Sequence, residues 1–532
     1  MPRAVSKPAK KAQPRQAIVI GGGPAGLAAA LELLERDAGY VPTVLEGSDC
    51  LGGLSRTVEH HGNRMDIGGH RFFSKSVVVN QWWLRHMPVQ GAPARDDLLL
   101  NREKPLAAGG PDPEREDRVM LWRERVSRIL FLRKFFDYPV SASARTFLNM
   151  GVRRSALAGL GFVHAQLLPR RPEVTLEDFL VNRFGRYLYR QFFEDYTQKV
   201  WSRHPSRIDA SWGAQRIKGL SLSKAAVTAV RKLLGRSQDA QQVETSLIEQ
   251  FLYPKLGPGQ LWELVGAEIE RRGGRILKNH EVVGLKVGKK GATQVIAKVD
   301  GQEKAFRCDA VLSSMPVKDL VTGIRGREIP TEVLKTALNL PYRDFMTVGL
   351  LVKRLKLVNE TAIPTLNGLV PDTWIYVQER DVKIGRLQVF NNWSPYMVRD
   401  PETVFLGLEY FCDECDELWR MEDQAFVDFA VDELVHLGLV DKADVLDSVR
   451  VRVKKAYPAY FGTYQQFGQV REFLDSIPNL YCIGRNGQHR YNNQDHSMLT
   501  AFEAVAALAG DGDRTKVWGV NVEGEYHETK RG

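Results

Sequence analysis

Apolar and polar positions first fall into a regular pattern at residues 17–20, Ala-Ile-Val-Ile, an uncharged β-prone run that predicts a strand. Three glycines follow, and Leu27 to Leu34 then carry apolar residues at helical spacing, predicting a helix that closes near Gly39. Val41 to Leu45 form a second apolar run, ended by Glu46. The strand pattern returns far along the chain, at Arg275 to Val283, Gln294 to Val299, Asp309 to Ser314 and Asn479 to Gly484, the last followed by an apolar helix over 498–508. Alternation of this kind predicts an α/β fold whose discontinuous Rossmann-like domain is drawn from residues 17–83, 270–318 and 475–510. A helical region over 145–245 and a mixed β-sheet region over 335–470 are expected to frame a substrate cleft against it. Residues 84–125, rich in Pro, Gly and charge, read as an insertion, and residues 1–16 and 511–532 as loosely ordered ends.

The chemistry begins in the first turn. Gly21, Gly23 and Gly26 form G-x-G-x-x-G between the predicted strand and helix, with Pro24 and Ala25 inside the motif. The first glycine suits a tight turn, the second lets a pyrophosphate approach the backbone, and the third lets helix and strand pack closely. A helix N-terminus there offers unpaired N–H groups and partial positive charge to phosphate. Glu46 is placed to take the ribose hydroxyls of an adenosine.

Composition narrows the class. The chain has 532 residues, 43% hydrophobic and 26% charged, enough apolar content for two or three cores and too much for a disordered chain. The best apolar stretch, Ala156 to Leu168, carries His164 and falls short of the roughly 18 residues of a spanning helix. No secretory pattern is expected, and five cysteines point to a reducing, cytoplasmic setting. Cys412 and Cys415 form an isolated C-x-x-C that reads as structural, so no metal site is expected. Of the net charge of +10, half lies in the tail, at Arg3, Lys7, Lys10, Lys11 and Arg15. That leaves peripheral membrane contact open, whereas no basic-aromatic stripe supports nucleic-acid binding.

Further motifs carry a family resemblance. Gly52-Gly53, Leu54 and Arg56 after Glu46 resemble the FAD-binding extension of amine-oxidase-like and glutathione-reductase-like flavoproteins. Asp66-Ile67-Gly68-Gly69-His70, followed by Phe72-Phe73-Ser74, is similar to the Gly-Gly-His loop of the UDP-galactopyranose mutases, the eukaryotic type in particular. Arg485 and the run Arg490-Tyr491-Asn492-Asn493-Gln494-Asp495-His496-Ser497 resemble the segment that closes over the flavin in that family, with one residue fewer after the tyrosine. Lys199-Val200-Trp201 with Arg216, and Arg386 with Asn391 to Tyr396, resemble its substrate-binding stretches.

The resemblance implies bound FAD, active when reduced, with NADPH or NADH as reductant. It implies cofactor contacts at Gly68, Gly69, His70, Val283, Arg485, Asn493, Gln494, Asp495 and Ser497, besides the glycine motif. Catalytic roles fall on His70, Arg216 and Arg386, and the substrate, an anionic sugar (di)phosphate, would meet Arg216, Tyr376, Arg386, Tyr457 and Tyr491. The activity implied is pyranose–furanose interconversion through a flavin N5–sugar adduct with no net redox. Tyr138-Pro139-Val140-Ser141 stands where the eukaryotic mutases carry an aromatic-Gln pair for uracil, which leaves the nucleotide open. The alternative is an oxidase or desaturase of the protoporphyrinogen oxidase or amine oxidase kind, which would favour an apolar tunnel.

Overall fold

In the computed structural model, which describes residues 15–138, 140, 143–210 and 250–521, the first strand, β1 (Arg15–Ile20), is buried over its last four residues. Such a strand must be covered on both faces, as in parallel sheets. It lies in the middle of a five-stranded parallel sheet with β2 (Tyr40–Leu45), β3 (Arg275–Leu277), β4 (Ala310–Ser313) and β5 (Leu480–Cys482), in the order β5-β4-β1-β2-β3. One face is covered by helices α1 (Pro24–Glu35) and α2 (Gln494–Ala509), whose Leu27, Ala28, Leu31, Ala501 and Val505 share one apolar cluster. The other face packs on a four-stranded sheet built around Glu281–Gly288 and Gly291–Val299. The carboxyl end of β1 sits between β2 and β4, where the chain departs to opposite sides, the usual ligand crevice of such sheets.

The single strand expected over Arg275 to Val283 is two. Residues 275–277 extend the parallel sheet, Asn279 takes a left-handed φ of 56°, and Glu281–Gly288 joins the second sheet. The break is held by two backbone bonds, from the Asn279 N–H to Ser48 O (2.9 Å) and from the His280 N–H to Glu46 O (2.8 Å).

A seven-stranded sheet forms the other wall of the molecule, in the order 445–458, 342–352, 404–412, 386–389, 374–377, 127–131, 134–137. Its register places Tyr376 opposite Arg386, and Arg386 opposite Glu409. Because strand side chains alternate, Trp374 shares the face of Tyr376. The opposite face is apolar and buries Phe426, Ala430 and Leu434 of the helix Asp423–His436.

The stretch read as an insertion is built into the fold. Met120–Glu124 pairs with Gln250–Pro254, and buried Arg123 grips buried Asp96 through two bonds of 3.0 and 2.7 Å. Arg102 adds a third at 2.9 Å, so these three charges neutralise one another rather than face water.

Candidate functional site

A cleft of about 360 Å³ opens at the carboxyl end of β1 and runs between the N-termini of α1 and α2. Its floor is backbone. Gly21 has φ +98°, and a Cβ there would lie 2.3 Å from Ser314 Oγ; Gly23 lies against Gly53, whose φ is +53°. Gly23 is also the N-cap of α1 and supplies no side-chain oxygen, so the first amides of α1 stay open to an anion. Glu46 is held by the Gly22 N–H on Oε2 (2.6 Å) and by the Ser48 N–H (2.8 Å) and hydroxyl (2.7 Å) on Oε1.

The loop Gly68-Gly69-His70 forms the next wall. A Cβ on Gly69 would meet the stacked Trp374 and Trp393 rings at 3.7 and 3.5 Å, so the loop rests on the seven-stranded sheet. Behind it, fully buried Asp66 accepts from the Tyr253 hydroxyl and from Thr57 Oγ1, and burial lifts its carboxyl to about 8. His70 Nδ1 lies 2.7 Å from Gly68 O, which can only accept, so Nδ1 carries the proton and Nε2 keeps its lone pair. Burial, then Arg485 and Arg386, push the His70 pKa down to about 4, so the ring is neutral. The loop is latched to α2 by Ser74 Oγ donating to Asp495 (2.9 Å) and Gln494 donating to Arg71 O (3.3 Å).

Two arginines bracket two stacked tyrosines along the cleft. Arg386 pairs with buried Glu409 at 2.5 Å and donates to the Tyr457 hydroxyl at 3.2 Å. Tyr457 stacks on Tyr491 (5.5 Å, 19°), and the Arg485 guanidinium lies 4.7 Å from the Tyr491 ring centroid. Arg485 also donates to the Asn492 (2.8 Å) and Ala456 (3.1 Å) carbonyls, which fixes its plane. Burial raises the Tyr457 pKa to about 12, so it stays a neutral hydroxyl.

The structure brings most of the expected site residues to this one cleft. Gly21, Gly23, Pro24, Ala25, Glu46, Gly53, Leu54, Gly68, Gly69 and His70 line it from the first third of the chain. Arg386, Tyr457, Arg485, Tyr491, Asn493, Gln494, Asp495 and Ser497 line it from the last third. Gly26, Arg56, Val283 and Tyr376 are not in the lining. Gly26 instead packs α1 on β1, Val283 sits in the second sheet, and Tyr376 stacks on Tyr138 (4.3 Å, 23°). Arg216 lies outside the described residues.

Sequence reasoning passed over Ser55, Arg71, Phe73, Ser314, Trp374 and Asn486, all of which line the cleft. Arg71 directly follows His70 in sequence and had a signal; Ser314 and Asn486 owe their place to sheet order alone. Away from the cleft, the described residues hold one His/Asp cluster, His60, His61 and Asp447. The two rings bond separate oxygens of the one carboxylate, at 3.1 and 2.7 Å, which satisfies it without an ion.

These protonation states set a pH dependence. His70, His86 and His489 are each pushed down to about 4, first by burial, so below pH 6.5 the unfolded chain binds protons that the folded one refuses. Stability therefore falls as pH drops through that window. Asp66 acts oppositely: its folded carboxyl keeps a proton up to about pH 8, so its contribution is lost as pH rises toward 8. Between pH 6.5 and 8 the wild type is expected to lose up to roughly 1.4 kcal/mol per pH unit from this group. Urea denaturation at both pH values should show the loss in wild type and its absence in Asp66→Asn.

The profile of the flavin containing amine oxidoreductases matches residues 24–527. The chain belongs to that family. Among solved structures, a reduced UDP-galactopyranose mutase superposes with a TM-score of 0.74 at 20% identity, over 97% of this chain and 100% of its own. A protein from an Exiguobacterium species, assigned as a protoporphyrinogen oxidase, gives 0.61 at 16% identity, over 96% and 99%. A putrescine oxidase bound to putrescine gives 0.55 at 15%, over 93% and 98%. At these identities the likeness is one of fold. Family membership implies FAD, and the residues present fit it: a glycine floor that a Cβ would fill, an open helix N-terminus for phosphate and an oriented carboxylate at Glu46.

Proposed function

We propose that this flavoprotein is a sugar mutase, interconverting the pyranose and furanose forms of a nucleotide- or phosphate-linked sugar with no net oxidation. The observation that carries the reading is the cationic lining of the cleft by Arg71, Arg386 and Arg485, with the stacked Tyr457 and Tyr491 rings between the last two. An oxidase acting on an apolar or amine substrate has no use for guanidinium groups beyond those that serve the flavin, whereas a substrate diphosphate binds to them.

Reduced flavin would supply a nucleophile at its N5. The chain's own residues do the rest. Arg386, aimed by Glu409 and Tyr457, holds the departing phosphate oxygens and stabilises charge developing there, while Arg485, aimed by two carbonyls, serves the flavin. Arg216 would join Arg386 as a second clamp on the diphosphate. Neutral His70 offers Nε2 as an acceptor within the Gly68–His70 wall, while Nδ1 stays committed to Gly68. No side chain is required as nucleophile. NADPH or NADH would act as a transient reductant.

The test is anaerobic. Protein reduced with dithionite is expected to convert a pyranose nucleotide sugar to its furanose isomer, read by chromatography, with the flavin still reduced at the end. Oxygen consumption by the oxidised protein with a tetrapyrrole or polyamine, and no isomerisation of any sugar phosphate by the reduced protein, would overturn the proposal.

A further inference from the structure

The helix Val152–Leu167 carries its apolar residues on the side away from the protein. Its inner side is small: Ala158 and Ala165 are buried, and Gly161 lies against Gly185 of the helix Leu176–Phe192 so closely that a Cβ on Gly185 would be 2.5 Å from the Gly161 carbonyl carbon. Its outer side holds Val152, Leu160, Val163 and Leu167, which are 89%, 69%, 53% and 75% exposed. At 3.6 residues per turn these four fall within an arc of about 80°. The preceding helix, Ala144–Met150, adds exposed Phe147 and Leu148, and Leu168 follows at the far end. A helix on a water-facing surface has the reverse arrangement, with a polar outer face.

The net charge of this stretch is positive. From residue 138 to residue 172 there is no aspartate or glutamate; Arg145 pairs with Glu360 (3.6 Å) and Arg170 with Glu177 and Asp178 (3.0 Å each), which leaves Arg153, Arg154 and Arg171 as the excess. Apolar side chains on one arc with arginines beside them are the pattern of a helix lying in the interface of an anionic bilayer. Two other occupants meet like charge. A second copy docked face to face would set two surfaces of the same net positive charge against each other. Residues 211–249 of this chain carry Arg216, Lys218, Lys224, Arg231, Lys232 and Arg236 against Asp239, Glu244 and Glu249, so their net charge is also positive. Among the described residues no helix is long and apolar enough to cross a membrane.

We propose that the outer face of residues 144–168 seats the protein on the surface of a bilayer rich in anionic lipid. The helix lies flat, with Leu160, Val163 and Leu167 entering the acyl boundary and Arg153, at the edge of their arc, meeting phosphate groups. The proposal stands apart from the assignment of the catalytic reaction.

The experiment is co-sedimentation of the full chain with vesicles of phosphatidylcholine alone or mixed with phosphatidylglycerol. Binding is expected to the mixed vesicles only, and to weaken as salt rises. Arg153→Gln should weaken it by about fivefold, at roughly 1 kcal/mol per charge. Leu160→Glu with Leu167→Glu should weaken it by more than about tenfold, with flavin absorbance and Tm unchanged because both positions are exposed. Absence of wild-type binding would overturn the proposal. So would binding that survives Leu160→Glu with Leu167→Glu, which would assign it to the basic N-terminal residues. A sedimentation coefficient that shows a dimer broken by the same substitutions, without vesicle binding, would assign the face to a second copy and equally end the membrane reading.

Discussion

Replacing Gly26 by alanine is expected to yield a protein that purifies without its flavin absorbance. The new Cβ would lie 1.9 Å from the Gly21 carbonyl oxygen, 3.1 Å from its carbon and 3.2 Å from a Val19 methyl. Two of these three are backbone atoms at the end of β1, so no side-chain rotation relieves the clash. The first turn of α1 must move off the sheet by more than an ångström, and its open amides move with it. Overpacking of this kind costs roughly 1–3 kcal/mol. The larger effect falls on the cofactor, whose bound phosphates depend on those amides and whose binding itself stabilises the fold. Gly22→Ala is the milder comparison: its Cβ would meet a Leu51 methyl at 2.9 Å and Glu46 Cβ and Oε2 at 3.2 Å, all side-chain atoms that can yield by a few tenths of an ångström. The ratio of flavin to protein absorbance and the Tm should both fall sharply for Gly26→Ala and modestly for Gly22→Ala. Full flavin retention in Gly26→Ala would show that the helix–sheet contact does not govern the cleft.

That contact is also where the sequence was most readable. β1, the glycine motif, α1, β2 and Glu46 lie within one run of about thirty residues, and their geometry follows from local preference: apolar β-prone residues, then glycine, then helical spacing. The strands Ala310–Ser313 and Leu480–Cys482 were legible for the same reason, as short apolar runs bounded by turns. Legibility ends where partners are distant. Nothing local separates Arg275–Leu277 from Glu281–Gly288; the two are parted by bonds to Glu46 and Ser48, more than two hundred residues earlier. Ser127–Phe131 falls between the regions read from sequence, and only its parallel pairing with Trp374–Val377 draws it into the seven-stranded sheet. Glu409, in the apolar strand Val404–Cys412, shows no sign in sequence of facing Arg386, because strand register is a property of the assembled sheet. The candidate substrate residues were readable as types, through resemblance, while the partners that aim them were not.

The Arg386–Glu409 pair gives the sharpest energetic consequence of that register. Glu409 is 1% exposed, accepts from Gln388 (2.8 Å) as well as Arg386, and has its pKa raised by burial even against the pull of the guanidinium. The two partners are therefore unequal. Without Arg386 the carboxyl can take a proton and become neutral at modest cost. Without Glu409 the guanidinium stays charged and loses its buried counter-ion. Glu409→Ala is expected to cost roughly 3–5 kcal/mol, and Arg386→Ala clearly less, in urea denaturation at neutral pH. Activity should order the other way under the proposed reaction. Arg386→Ala keeps flavin but loses nucleotide-sugar binding, while Glu409→Gln, still able to hydrogen-bond the arginine, keeps part of it. Arg386→Met combined with Glu409→Leu removes both charges and should recover most of the stability lost in Glu409→Ala, with no recovery of binding. If Arg386→Ala proves the more destabilising single change, the carboxylate is not being held charged by its partner. The cross-strand pair would then be a packing contact rather than an electrostatic mount for the cleft.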